Sequence, residues 1–289
     1  MPKRFIRRAI ASALCVGLGF LSACSVPSQD SSSGKELKFV TVYAANTTDP
    51  HMVQGSFILN SGAVETLVRL DPATMKLAPW LAEKWESADA QNWTFTLRQG
   101  VKFHNGKPMT AEAVKASLED SITNNQGAAK AVRIASIEAL DEHTLKITTD
   151  GVYPALPSNL VHYNTAITDV TAEGELPIAT GAFKFESFDP AGEAVLVKNT
   201  DYWDGEAKLD RVVMTANEDA NARLLALQAG DADVIYRPSL ESVQSISNDA
   251  NLATDSVPGT RVYHVIYNYV GANSALWNNL EFRKGMDAL

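Results

Sequence analysis

The side chains of this 289-residue chain that could do chemistry are few, and their spacing argues against catalysis. Its cysteines are Cys15 and Cys24. Both lie within or at the end of an N-terminal segment that reads as a processed leader, so thiol catalysis and Cys-ligated metal sites are excluded from the mature chain. The histidines, His51, His104, His143, His162 and His264, include no pair three or four residues apart on a helix. No HExxH, G-x-S-x-G or GxxxxGK[ST] motif appears. Carboxylate pairs such as Glu119-Asp120 and Asp141-Glu142 fall at expected helix-surface and turn positions, where solvated charge explains them. What remains is binding chemistry. The stretch YAANTTDPH, residues 43–51, leaves the first expected strand at its C-terminal end, where open α/β sheets form ligand crevices. Tyr43, Asn46 and His51 are candidates there, with turn chemistry at Asp49-Pro50 as the competing reading.

The elements that must position these residues follow from hydrophobic period. Residues 37–43 read as a strand, and 57–69 as a helix with Val64, Leu67 and Val68 on one side. From Leu77 the chain reads LAPWLAEKWESADAQNWTFTLRQGVKFHNGKPMTAEAVKASL. Here Pro79 opens a short apolar helical turn carrying Trp80, Leu81 and Trp85. Trp93, Phe95 and Leu97 then alternate with polar residues as in a half-buried strand. Val101 and Phe103 restart the alternation, Asn105-Gly106 marks a turn, and Thr110 is the N-cap of a helix bearing Val114 and Leu118. A hairpin is expected over 134–140 and 144–149, and strands over 183–188, 194–198, 212–216, 234–236 and 262–268. Helices are expected over 220–229 and 280–289. Strands alternating with helices imply an α/β fold with a mixed sheet.

The block from Pro79 to Val114 resembles the signature region of the family 5 extracytoplasmic solute-binding proteins, the peptide and nickel receptors of ABC importers. The pattern "PxLAxxW" followed by "WTFxLRxGVKFxxGxPxxAxxV" is met at nearly every position. Asp49-Pro50-His51, Thr180-Gly181-Ala182-Phe183, the run from Asn199 to Trp203 and ARLLALQAGDADV at 222–234 match further family segments in order. The resemblance implies a periplasmic-binding-protein-like lobe of the class II or cluster C type, with an inserted small subdomain. Residues 37–80 and 165–268 would build the first lobe, 81–164 the insertion, and 269–289 the hinge and the start of a second lobe, which would be largely missing.

It also implies where ligand lies. Leu160 to Thr165 matches the region in which relatives place ligand-facing side chains, which makes His162, Tyr163 and Asn164 candidates. Thr180-Gly181 would let the backbone pass close to the cleft or hinge, or make a tight turn. Tyr263, on the strand entering the hinge, is a further candidate, with cross-strand packing as its alternative. No catalytic residue and no cofactor are expected, and a metal site is not assigned. The implied ligand is a small peptide, or nickel as a metal chelate, and the implied partners are an ABC permease and its ATPase. A surface adhesin or signalling receptor on the same scaffold, and an incomplete, non-functional fragment, are the alternatives.

Composition fixes the setting. The formal charge is −9, although Lys3, Arg4, Arg7 and Arg8 lie in a leader without acidic residues, so the remainder is more acidic still. That balance disfavours nucleic acid as a partner. Residues 1–23 read as a lipoprotein signal peptide: four cations, an apolar run over 9–21 too short to span a bilayer, and Leu21-Ser22-Ala23-Cys24 resembling a lipobox. Cys24 would carry the lipid and residues 24–36 would be a flexible tether. The expected location is extracytoplasmic, anchored to the membrane through that lipid.

Overall fold

A computed structural model describes residues 34–52, 61–190, 192–256, 275 and 278–287. The leader, Cys24 and Tyr263 lie outside them, as does the expected strand over 262–268. The chain divides into two compact units, Met1–Arg237 and Pro238–Leu289. Among the described residues no helix is long and apolar enough to cross a membrane.

The first unit contains two larger sheets. One is five-stranded, in the order β11 (Val234–Ile235), β1 (Glu36–Thr41), β10 (Arg211–Ala216), β9 (Glu193–Lys198), β8 (Phe183–Phe188). β1 runs parallel to both β10 and β11, whereas β10, β9 and β8 are antiparallel to one another, so the sheet is mixed. Its core is Ala63, Val64, Ala179, Phe185, Leu196, Val212 and Met214 with their neighbours. The other sheet is four-stranded, β4 (Ala82–Glu86), β5 (Asn92–Leu97), β7 (Thr144–Thr149), β6 (Ile134–Ala139), and is drawn wholly from sequence between β1 and β8. α1 (Ala111–Asn124) covers it, burying Ala111, Val114, Leu118, Ser117 and Ser121. α2 (Gln126–Val132) follows directly, with Asn125 accepting from the Ala128 N–H as its N-cap, and the short α3 (Leu156–Asn159) comes after β7. The core of this part is larger, running from Leu67 and Leu81 through Phe95, Leu97, Val114, Leu118, Leu145 and Ile147 to Leu160.

The strand pattern in sequence is largely what folds. Phe95 and Leu97 are fully buried on β5, and Leu145 and Ile147 on β7. Thr110 caps α1 by accepting from the Ala113 N–H at 3.2 Å. Asp219 caps α4 (Ala220–Ala229), which Gly230 ends with φ +79°, a left-handed C-terminal residue where glycine costs little.

Two expected helices are corrected. Residues 61–67 are not helical, and 68–70 form strand β2 (Val68–Leu70), paired with β3 (Leu77–Pro79). The remaining expected residues, 57–60, lie outside the described part. The reason is visible in the burial: Ala63 through Val68 are all buried, which a helix with one solvent face cannot achieve. Their carbonyls serve other segments, Gly62 O accepting from Phe183 N, Ala63 O from Gly181 N, Glu65 O from Ile167 N and Leu67 O from Ala82 N. The turn after Pro79 is likewise not helical, because Ala82–Glu86 pairs with β5 and tertiary pairing overrides a three-residue apolar spacing. Around Val101 and Phe103 the chain makes a single bridge, Lys102 to Pro108, rather than a strand.

In the second unit, the described elements are α5 (Leu240–Ser247), capped by Ser239, and α6 (Leu280–Asp287), whose first N–H groups are accepted by Asn279. Residues 269–274, where the expected hinge segment begins, lie outside the described residues.

Candidate functional site

Because β1, β10 and β11 run parallel, their C-terminal ends share one edge of the sheet. Tyr236 N–H donates to Val40 O and Asn217 N–H to Thr41 O, so both flanking chains stay paired with β1 to its last residue. β1 then turns away, with Thr41 Oγ1 donating to Tyr43 O. Beyond that point Arg223, 3% exposed on α4, donates from one amino group to Asn217 O at 2.7 Å and from the other to Arg237 O at 2.8 Å. Those two nitrogens sit on one rigid guanidinium, so the flanking chains are drawn together across the space that β1 has left. Along this edge Tyr43 is 63% exposed and Tyr236 49% exposed, and Asn46 and Arg237, in the chains that leave it, are exposed as well. Arg237 has φ +54°, a left-handed conformation uncommon for a non-glycine residue, and its carbonyl is the one that accepts from Arg223. Two phenols and a guanidinium on an open edge are suited to a planar anionic ligand: the fork can grip a carboxylate and the rings supply apolar contact. Of the candidates read from sequence, Tyr43 and Asn46 lie at this edge, whereas Arg223, Tyr236 and Arg237 were not among those candidates. The signal available was the G-D-x-D turn at 230–233, which fixes where β11 must end.

His51 is 1% exposed and its ring is engaged on both sides, Nδ1 at 2.7 Å from Asp120 Oδ2 and Nε2 at 2.8 Å from Ala166 O. Asn164 is buried too. Its amide donates to Pro50 O at 2.7 Å and Met52 O at 2.9 Å, while Ser121 Oγ donates to its carbonyl. His51 and Asn164 are thus brought together at one junction, between the loop after β1 and the 3₁₀ turn Tyr163–Thr165. His162 begins that turn. It is exposed, stacks on Tyr163 with ring centroids 4.1 Å apart, and accepts on Nδ1 from Asn164 N. Partial burial lowers its pKa, so the ring is biased towards the neutral form that this bond requires.

Thr180 and Gly181 belong to a third place. Gly181 donates to Ala63 O at 3.1 Å and accepts at its carbonyl from His104 Nε2 and from Asn199 Nδ2. A Cβ built on it would stand 2.3 Å from Gly62 O and 2.5 Å from Ala63 C, so two backbones approach as only glycine permits. Thr180 is wholly buried and donates to Glu65 Oε2 at 2.7 Å. Glu65 also accepts from Tyr202 OH at 2.7 Å and from Trp203 Nε1 at 3.0 Å. Arg69 lies over the Trp80 ring at 3.6 Å and Arg98 over the Trp203 ring at 4.4 Å, with the two indoles in edge contact at 4.8 Å. Burial pushes the Glu65 carboxyl above its ordinary range, against the opposing pull of its bonds from Trp203, Thr180, Tyr202 and Trp80. Burial, reinforced by the Glu65 charge, also raises the Tyr202 phenol. This cluster joins five stretches of chain, at residues 65–69, 80, 98, 180 and 202–203. Glu65 was not foreseen, since a carboxylate inside an apolar run looks like the solvent face of a helix. Among the described residues no group of three or more His, Cys, Asp or Glu is placed to hold a metal ion.

The model for bacterial extracellular solute-binding proteins, family 5, matches residues 76–288. The chain belongs to this family. It is 30% identical over 241 residues to the nickel-binding protein NikA of Staphylococcus aureus, a match covering 82% of this chain and 48% of that protein. Among solved structures, a nickel ABC transporter protein from Bacillus halodurans superposes with a TM-score of 0.72 at 46% identity, covering 75% of this chain and 46% of the other. The periplasmic binding protein DppA of Helicobacter pylori, in complex with the peptide STSA, superposes with a TM-score of 0.65 at 27% identity, covering 75% of this chain and 49% of its own. The family member described here therefore has the periplasmic-binding-protein-like α/β fold and spans about half the length of the relatives it matches.

Proposed function

We propose that this chain is a non-enzymatic solute receptor of an ABC importer that captures nickel as a chelate and passes it to a permease and ATPase. The observation that carries the reading is the open edge of Tyr43, Tyr236 and Arg237, held by the buried Arg223. Arg237 would take a carboxylate of the chelating molecule, Tyr43 and Tyr236 would cover its apolar part, and the chelator rather than the protein would supply the metal's donors. The identity to the Bacillus halodurans nickel protein favours this ligand class. A small peptide is the second reading, supported by the Helicobacter pylori complex, and it would use the same guanidinium for its C-terminal carboxylate. His162 and Tyr163 are proposed as a further aromatic contact, with Asn164 tying their turn to the loop after β1, while Thr180 and Gly181 act in the buried Glu65 cluster instead. The receptor is proposed to act outside the cytoplasm, anchored through a lipid on Cys24.

The test is calorimetry on the full chain with Ni(II) plus L-histidine and with tri-alanine. Heat with the nickel complex alone, weakened at least tenfold in R237Q, is the expected result. Binding of tri-alanine alone overturns the nickel reading in favour of the peptide, and binding of neither overturns both. Incorporation of labelled palmitate by wild type but not by C24A tests the anchor.

A further inference from the structure

Two histidines in the first unit face opposite kinds of partner. His104 has Nε2 at 3.1 Å from Gly181 O, an acceptor, and Nδ1 at 3.3 Å from the Ala179 N–H, a donor. One ring proton, on Nε2, satisfies both, and the ring is neutral. His51 has Nε2 at 2.8 Å from Ala166 O and Nδ1 at 2.7 Å from the Asp120 carboxylate. A carbonyl has no proton to give, and neither has an ionised carboxylate. A His51 ring with one proton would set a nitrogen lone pair against an oxygen lone pair at 2.8 Å or less, on a ring that is itself 1% exposed.

We propose that His51 is a buried imidazolium, ion-paired with Asp120, and that this pair positions the loop over residues 43–52 which carries Tyr43 and Asn46 to the ligand edge. The surroundings suit a cation. Asp49, Asp120, Asp169 and Glu175 line the same cavity of about 220 Å³ as His51, and the cation next to them, Lys107, is itself bonded to Asp169 at 2.8 Å. Asp49 Oδ1 accepts from the His51 backbone N–H. Among the described residues the loop is tied to the rest of the fold by neutral hydrogen bonds as well: Asn125 Nδ2 to His51 O, Asn164 Nδ2 to Pro50 O and Met52 O, Thr48 Oγ1 to Glu175 O. The ion pair adds a charge-assisted bond, stronger and more directional than these, between the loop and α1. The second proton reaches Ala166 O, which also accepts from Ser117 Oγ, so one ring fixes the loop to the helix and to the chain just after the His162–Thr165 turn. His51 was expected to touch ligand; it acts instead through the loop it anchors.

The positioning half of this proposal rests on the ligand edge proposed above, whereas the charge on His51 does not, and the experiment separates them. In full-length protein labelled with ¹⁵N-histidine, two-bond nitrogen–proton spectra at neutral pH should show both His51 nitrogens protonated, with His104 as the single-proton, Nε2–H reference. In D120N the His51 ring should become neutral, and affinity for Ni(II)–histidine, or for tri-alanine if that is the probe bound, should fall about tenfold with restoration in D120E. A neutral, single-proton His51 ring in the wild type overturns the proposal. A doubly protonated ring with unchanged affinity in D120N overturns the positioning role. Wild-type protein that binds neither probe overturns the ligand reading and leaves the ring spectrum to decide the charge.

Discussion

At the scale of single residues, Gly181 is the position with the least freedom. Any side chain there would meet the backbone of residues 62–63 at 2.3 to 2.6 Å, and backbone cannot turn aside as a flexible side chain can. G181A is expected to destabilise the first unit by about 3 kcal/mol or more, measured by urea denaturation followed through tryptophan fluorescence. Its neighbour Thr180 illustrates a cost of another kind. Thr180→Val keeps the shape but removes one donor from a buried carboxylate, and is expected to cost about 1–3 kcal/mol in the same assay. The T-G pair was legible as a place of close backbone approach because only glycine tolerates it, but its partner was not. Glu65 lies 115 residues away in sequence, and nothing local announces that an acid will be buried among two indoles, a phenol and a hydroxyl.

At the scale of elements, alternation served for strands because their neighbours are themselves strands with the same period. β5 between β4 and β7, and β1 between β10 and β11, were legible for this reason. Helical spacing failed over 61–67, where a turn and the irregular chain after it give their carbonyls to residues 81–82, 167, 181 and 183 and are buried over 63–67, so the apolar run carries no face. α1 shows a subtler limit. Its buried face includes Ser117 and Ser121, which a hydrophobic pattern skips, yet these hydroxyls donate to Ala166 O and Asn164 O and fasten the His162 turn to the helix. Ser117→Ala is expected to cost about 1–2 kcal/mol through the loss of two bonds, since Ser117 Oγ also accepts from Thr168 N. Thr110→Ala, which removes only the cap of the same helix, should cost about 1 kcal/mol. Because these sites are seven residues apart and share no partner, the double variant should be additive to within about 0.5 kcal/mol by chemical denaturation.

At the scale of the molecule, two buried titratable groups tilt the stability of the first unit in opposite directions with pH. Burial lowers His104 from 6.5 to about 4, with Lys184 adding to that and the bond to Gly181 O opposing it. The unfolded chain therefore binds a proton between pH 6.5 and 4 that the folded one refuses, and stability falls as pH falls through that window, by on the order of 3 kcal/mol at most. Glu65 has the reverse sign. Its folded-state pKa lies above 4.5, so the folded chain holds a proton that the unfolded one has released, and stability falls as pH rises from 4.5 through the folded value. Near pH 5 the two slopes oppose, so wild-type protein should look less acid-sensitive than His104 alone would make it. H104Q, which can still donate to Gly181 O, should flatten the loss on acidification from pH 6.5 to 4, and E65Q should steepen it by removing the opposing term. Urea midpoints at half-unit pH steps check this, read by the fluorescence of Trp80, Trp85, Trp93 and Trp203, all of which lie in this unit. Parallel curves for wild type and H104Q would mean that His104 is charged in the folded chain, and its hydrogen bonds to Gly181 and Ala179 would need to be redrawn.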